Sequence, residues 1–261
     1  MKIKFATTFL IISGLIIFGS CKKDDKDPDA GGGGGTAAPT GNVKMHLDSK
    51  WGISNDDIVI GNEYIHAMSG DSIMLATYKY YISNFRLKKS DGSWWSQPNS
   101  YYLVNHANVG SNVFDLTGVP PGNYTDISFV MGVDSLKNVS GAQAGALSTA
   151  NDMFWSWSSG YIMIKAEGTS PQVSPGSVFS YHLGGFSGAF NIVQKKEYSF
   201  GATPLIVTTT TLPNIHMRLD VEELFDGVGS VSNGSTSSPG PLSLTMATSF
   251  YNGILFDYLT N

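Results

Sequence analysis

From about residue 42 the chain alternates. Val43, Met45 and Leu47 are apolar while Lys44, His46 and Asp48 between them are polar, the period of a half-buried strand. Ser72–Leu87 is dense in β-formers, with Tyr81, Ser83, Phe85 and Leu87 on one face; its length predicts two strands or one strand bent by a bulge. Asp91-Gly92 is a hairpin turn pair, and Trp94-Trp95 with Tyr101–Val104 read as the return. Val119-Pro-Pro-Gly-Asn123 is a second turn, and the strand after it puts Ile127, Phe129, Met131 and Val133 inward. Residues 134–149 are small and polar and read as a long loop with room for a short helix. Lys196–Phe200, Leu205–Thr211 and Asn214–Leu224 are further strands. In the last, Ile215, Met217, Leu219 and Val221 share one face and His216, Arg218 and Asp220 the other. Met246–Leu259 has Phe250, Ile254 and Leu255 at helical spacing and predicts a C-terminal helix.

Many short strands with turn signals and few helices predict an all-β fold, an antiparallel β-sandwich of immunoglobulin-like or jelly-roll-like kind with long loops. Its organising stretch is Asp152-Met-Phe-Trp-Ser-Trp-Ser-Ser-Gly-Tyr161. Two of the five tryptophans, a Met, a Phe and a Tyr fall within it, enough to nucleate a core or wall a pocket. A strand follows, with Tyr161, Met163 and Lys165 expected on one face and Ile162, Ile164 and Ala166 on the other. Phe179-Ser-Tyr-His-Leu-Gly-Gly-Phe186 is the next strand and carries His182.

The N-terminus has its own pattern. Lys2 and Lys4 precede an apolar run, Phe5–Phe18, that is short for a membrane span. The run ends at Phe18-Gly-Ser-Cys21, which resembles a lipobox. Residues 1–20 are therefore expected to be a lipoprotein signal peptide, Cys21 the lipidated residue and 21–41 a tether through Gly31–Gly35, leaving 42–261 as one domain. Cys21 is the only cysteine, so a mature domain has no disulfide and no thiolate site. Lys22–Asp25 resembles an export signal, which predicts an outer-membrane lipoprotein facing the cell surface, held to the membrane by its anchor. The net charge is −5, or about −7 once Lys2 and Lys4 leave with the leader, and no basic stripe is present, which argues against nucleic-acid binding.

Candidate chemistry is sparse. There is no Gly-x-Ser-x-Gly, no His-Glu-x-x-His and no P-loop, and no nucleophile–base or acid pair is evident from spacing, so the chain reads as a non-enzyme. Of the five histidines, His46, His182 and His216 lie in predicted strands. Strand imidazoles converging beside Met153 and an aromatic would suit a soft ion such as Cu(I). The alternative is a surface module for glycan or protein with Trp94, Trp95, Trp155 or Trp157 as a stacking platform.

An ordered set of segments points the same way. Tyr80-Tyr-Ile-Ser-Asn-Phe-Arg-Leu87, Val119-Pro-Pro-Gly-Asn-Tyr124, Ser128–Ser135 with Asn138-Val-Ser-Gly141, Met153-Phe-Trp-Ser-Trp157 with Gly160-Tyr161, and His182-Leu-Gly184 together resemble the MbnP-like family of copper-binding proteins, from about Val43 to Phe225. The resemblance implies a β-sandwich and a copper site built from histidines, in which a tryptophan oxidised to kynurenine assists. It also implies a di-haem peroxidase-like partner that performs the oxidation. Carried onto this chain, it makes His182 the best-matched ligand and His216 the second. Trp155 or Trp157 is then the modified or wall residue.

Overall fold

A computed structural model describes residues 38–261 except 142, 157–158 and 175–176. The expected leader, Cys21, most of the expected tether and Trp157 therefore lie outside the described residues. The elements run β1 (Gly41–Trp51), β2 (Asp56–Asp57), β3 (Glu63–Ile65), β4 (Ser72–Lys89), β5 (Trp94–Ser96), β6 (Tyr101–Asn105), β7 (Val113–Val119) and β8 (Gly122–Met131). They continue with α1 (Ser135–Val139), β9 (Phe154–Ser156), β10 (Gly160–Thr169), β11 (Val178–Gly184), β12 (Gln194–Ser199), β13 (Leu205–Val207), β14 (Asn214–Asp220), α2 (Glu222–Asp226), α3 (Pro241–Asn252) and β15 (Ile254–Thr260). Among the described residues no helix is long and apolar enough to cross a membrane.

Two sheets form a sandwich. Sheet I runs β15-β14-β1, with β2 and β7 also on β1; sheet II runs β11-β10-β4-β8-β12, with β13 on β8, β9 on β10, and β3, β5 and β6 on β4. Apolar positions of both sheets bury into one core. Val43, Met45 and Leu47 of β1, Ile215, Met217 and Leu219 of β14, and Ile127, Phe129 and Met131 of β8 are all essentially inaccessible. The rings of Phe85 on β4 and Phe114 on β7 meet edge-on across the layers at 5.5 Å.

β4 is the hub, and it is one strand of 18 residues. It bends at Asn84, whose φ of 55° lies in the left-handed region that Asn tolerates. There its register with β8 shifts between Ser83 and Arg86. One pairing departs from the antiparallel expectation: β1 and β14 run parallel, setting His46 opposite His216.

Three expectations need correction. The segment Met246–Leu259 is not one helix. α3 ends at Asn252, Gly253 caps it, and Ile254–Thr260 becomes a strand on β14. The unpaired edge of β14 decides this: a strand there closes a ladder that a longer helix would leave open. The strand from Asn214 likewise stops at Asp220, and Leu224 belongs to α2. In β10 the simple alternation fails, because the register with β11 shifts between Ile162 and Ile164, leaving Met163 as the extra residue.

The long connection after β8 lies over the outer face of sheet II. Asn138 is fully buried and pins it: its amide Nδ2 donates to the Val133 carbonyl at 2.7 Å and its Oδ1 accepts from Tyr161 N–H at 2.8 Å. The phenols of Tyr81 and Tyr161 donate to the Ala146 and Leu147 carbonyls at 2.9 and 2.7 Å. This cover delivers the chain to β9.

Candidate metal centre

Along β11, Tyr181 and Leu183 point into the core, so His182 and Gly184 share the outer face. β9 folds back on β10 as a hairpin, pairing Ser156 with Gly160 and Phe154 with Tyr161. It lays the indole of Trp155 over Gly184. A Cβ at 184 would stand 2.4 and 2.8 Å from ring carbons of Trp155 and 2.8 Å from the Tyr161 carbonyl oxygen. Gly184 is therefore a seat for the ring. Trp155, from β9, thus rests on Gly184, two positions along β11 from His182.

Cross-strand register supplies the rest. Lys165 lies opposite His182, and Lys79 lies opposite Lys165 on the other side. His182 Nε2 sits 2.7 Å from Glu167 Oε1 and 3.2 Å from Ser180 Oγ. Lys165, only 4% exposed, donates to Asp152 Oδ2 at 2.5 Å and lies 3.6 Å from Glu167. Burial pushes the Glu167 carboxyl up, but the hydrogen bond to His182 and the charge of Lys165 outweigh it, and the group sits below the usual glutamate value. The hydrogen bond from Lys165 pulls Asp152 down in the same way. A cleft of about 530 Å³ opens beside this row, lined by Lys79, Tyr101, Asn105, Asn151 and Asp152 among others.

His216 is elsewhere. Its strand neighbours Ile215 and Met217 enter the core from sheet I, so its ring stands on the outer face of sheet I, as does that of His46. The structure thus brings His46 and His216 together and leaves His182 apart from both, contrary to the convergence expected from sequence. The paired rings stack at 4.2 Å with 10° between planes, and Tyr258 covers the other face of His216 at 4.1 Å. Lone pairs lie in the plane of an imidazole. Two parallel rings one above the other aim theirs side by side, and they do not converge on a shared ion. His216 Nδ1 instead meets Asp48 Oδ2 at 3.2 Å, and His46 Nε2 meets Asn214 Oδ1 at 3.1 Å. Met153 is fully buried, as part of the hydrophobic core.

Among the described residues, His182 has the Glu167 carboxylate beside it, and the Asp152 carboxylate of the same row is held by Lys165. An intact indole adds no lone pair, since its nitrogen only donates. Among the described residues, no group of three or more His, Cys, Asp or Glu side chains is placed to hold a metal ion. Sequence reasoning missed Glu167, Lys165 and Asp152. Their period-two spacing on β10 would have flagged the first two only once the register with β11 was known. It also passed over His66, which lies buried between Ser69 and Asp226, and His106, whose ring packs on Tyr78 at 4.8 Å.

These features define a β-sandwich that carries a tryptophan seated on a glycine, and a histidine two positions from that glycine, on one outer face. The chain belongs to the MbnP family, whose profile matches residues 40–242. Among solved structures it is similar to MbnP from Methylosinus trichosporium, at 17% sequence identity and a TM-score of 0.48, over 72% of this chain and 78% of that one. A comparison with curated proteins finds no match.

Proposed function

We propose that the protein is a lipid-anchored envelope protein that captures copper as cargo, without turnover, on the outer face of sheet II. The observation that carries this reading is the seating of Trp155 on Gly184 beside His182. Family membership supports copper as the cargo. Because the described donors stop at His182 and Glu167, we assign the binding-competent form to a chain in which a tryptophan of this stretch, Trp155 or Trp157, has been oxidised to kynurenine. That change exchanges an indole for a carbonyl and an aromatic amine, both of which carry lone pairs. A di-haem peroxidase-like enzyme is the proposed agent, and lipid on Cys21 holds the protein at the outer membrane facing outward.

The test uses native mature protein. Intact-mass and peptide analysis should find lipid on Cys21 and kynurenine in the Trp155/Trp157 peptide. Cu(I) should then be retained against a chelator of micromolar affinity, a binding free energy of about −8 kcal/mol. His182→Ala should lose the ion, while the double variant His46→Ala, His216→Ala should keep it. Retention unchanged in His182→Ala, or no retention by oxidised protein, overturns the reading.

One observation favours a second reading, a glycan-binding surface. The half-buried ring of Trp94 is framed by Arg86 at 4.8 Å, Lys195 at 5.6 Å and Lys88 at 5.8 Å. A glycan that binds the parent protein and not Trp94→Ala would establish it; an array with no hits removes it.

A further inference from the structure

A second constellation lies at the tip of the β3–β4 hairpin, and copper capture makes no use of it. The turn from His66 to Asp71 is closed by His66 N–H on the Asp71 carbonyl at 2.9 Å and Gly70 N–H on the His66 carbonyl at 2.8 Å. The His66 ring is buried, 1% exposed, and packs toward Phe225. Its Nε2 lies 2.7 Å from Asp226 Oδ1 at the end of α2, and its Nδ1 lies 2.7 Å from Ser69 Oγ. Ser69 itself is exposed.

The proton positions follow from which groups can donate. A carboxylate only accepts, so Nε2 carries its hydrogen toward Asp226. A neutral imidazole then has a bare Nδ1, and the Ser69 hydroxyl donates to it. Asp71 N–H donates to the same Oγ at 3.2 Å. The hydroxyl has two acceptors within reach, His66 Nδ1 at 2.7 Å and the Asp71 carboxyl; turned toward His66, it has one lone pair occupied by Asp71 N–H and one left over. The base is in turn held by an acid. We infer that Ser69, His66 and Asp226 form a nucleophile–base–acid set that accepts an acyl group from carboxylic esters.

Ser69 Oγ bonds to the ester carbonyl carbon as its proton passes to His66 Nδ1 and the C=O π pair moves onto oxygen. The tetrahedral adduct then collapses, the carbon–alkoxide bond breaks, and the leaving oxygen takes the proton from Nδ1. Water repeats the sequence on the acyl-serine and releases the carboxylic acid. Asp226 fixes the ring and stabilises the imidazolium. The N–H groups of Met68 and Ser69 have no acceptor among the described residues and are the donors at hand for the oxyanion. The ring nitrogens serve in the reverse sense to the familiar serine-hydrolase triad, with Nδ1 toward the nucleophile. The substrate class follows from the surface beside the turn, where Met68, Ile65 and Met74 are 65%, 58% and 41% exposed: esters with an apolar acyl group.

The test is a fluorophosphonate probe on the protein, followed by peptide mass analysis, with p-nitrophenyl butyrate hydrolysis in parallel. One adduct on Ser69 is expected. Ser69→Ala should abolish adduct and hydrolysis in a protein that still folds, as its far-ultraviolet circular dichroism reads. Asp226→Asn, on a partly exposed acid, should fold and label roughly 100-fold more slowly, the scale of one general-base contribution. Absence of a Ser69 adduct, or labelling at the same rate in Asp226→Asn, overturns the inference and leaves a turn-locking hydrogen-bond set.

Discussion

Gly184→Ala places one methyl where the structure has least room for it. The new carbon would fall 2.4 Å from the Trp155 ring. That is roughly 1 Å inside the 3.5 Å or more at which carbons rest. The third neighbour, the Tyr161 carbonyl oxygen at 2.8 Å, is backbone within β10 and moves only with the sheet. The indole must therefore give way. Overpacking of this kind costs roughly 1–3 kcal/mol, and at roughly 2–4 °C per kcal/mol for a domain of this size it lowers the unfolding midpoint by about 2–12 °C. Gly240→Ala is the control, since its Cβ meets nothing within 4 Å and its φ of 175° is ordinary extended backbone. Thermal unfolding by circular dichroism, tryptophan emission difference spectra and copper retention would be read together. The expected result is a lower midpoint, altered emission and weakened copper retention in Gly184→Ala only. A Gly184→Ala protein with the parent midpoint and parent emission would refute the placement of Trp155 on Gly184.

Three further outcomes are expected. Burial lowers the His106 pKa from 6.5 to about 4. The unfolded ring then binds its proton more readily than the folded one, so this stability is whole above pH 6.5 and drains away toward pH 4, by about 3 kcal/mol. Urea titrations across that window should show the loss in the parent and a smaller one in His106→Gln; equal losses would discount the burial of His106. The Tyr251 hydroxyl is buried with no hydrogen-bond partner among the described residues, whereas Tyr161 donates to Leu147. Tyr251→Phe should be neutral or stabilising by up to about 1 kcal/mol and Tyr161→Phe destabilising by about 1 kcal/mol or more, measured by chemical denaturation. The reverse order would show that Tyr251 is satisfied and Tyr161 is not. His46→Ala with His216→Ala should cost stability through the lost stack on Tyr258, on the order of 1 kcal/mol beyond area. A double variant as stable as the parent would show the stack to be idle.

How much of this was legible beforehand follows from which residues talk to near neighbours. The faces of β1, β8 and β14 were readable because period-two burial is written locally: Met45 and Met217 go in, His46 and His216 go out. The two-layer architecture followed from many such segments. What could not be read was pairing. Nothing in the spacing says that β14 lies beside β1 and in parallel, while β11 lies beside β10 in the other sheet. That choice puts His216 with His46 and separates both from His182. The C-terminal segment misled for a different reason. Residues 246–259 are apolar at both helical and strand spacing, and Gly253 together with the free edge of β14 resolves them. The set around His66 was invisible because Ser69 is three positions away and Asp226 is 160, and no motif joins them.

The side-by-side run of β1 and β14 constrains how the molecule comes into being. Asp48 and His216 are 168 positions apart. β1 must therefore wait for nearly the whole polypeptide before its parallel neighbour arrives, a long loop closure that slows folding. Until then β1 offers an open ladder with one greasy side, the kind of template on which chains aggregate. A product cut short before residue 214 would leave that template permanently open, so truncated forms should collect as aggregates or be cleared by proteases rather than survive as smaller domains.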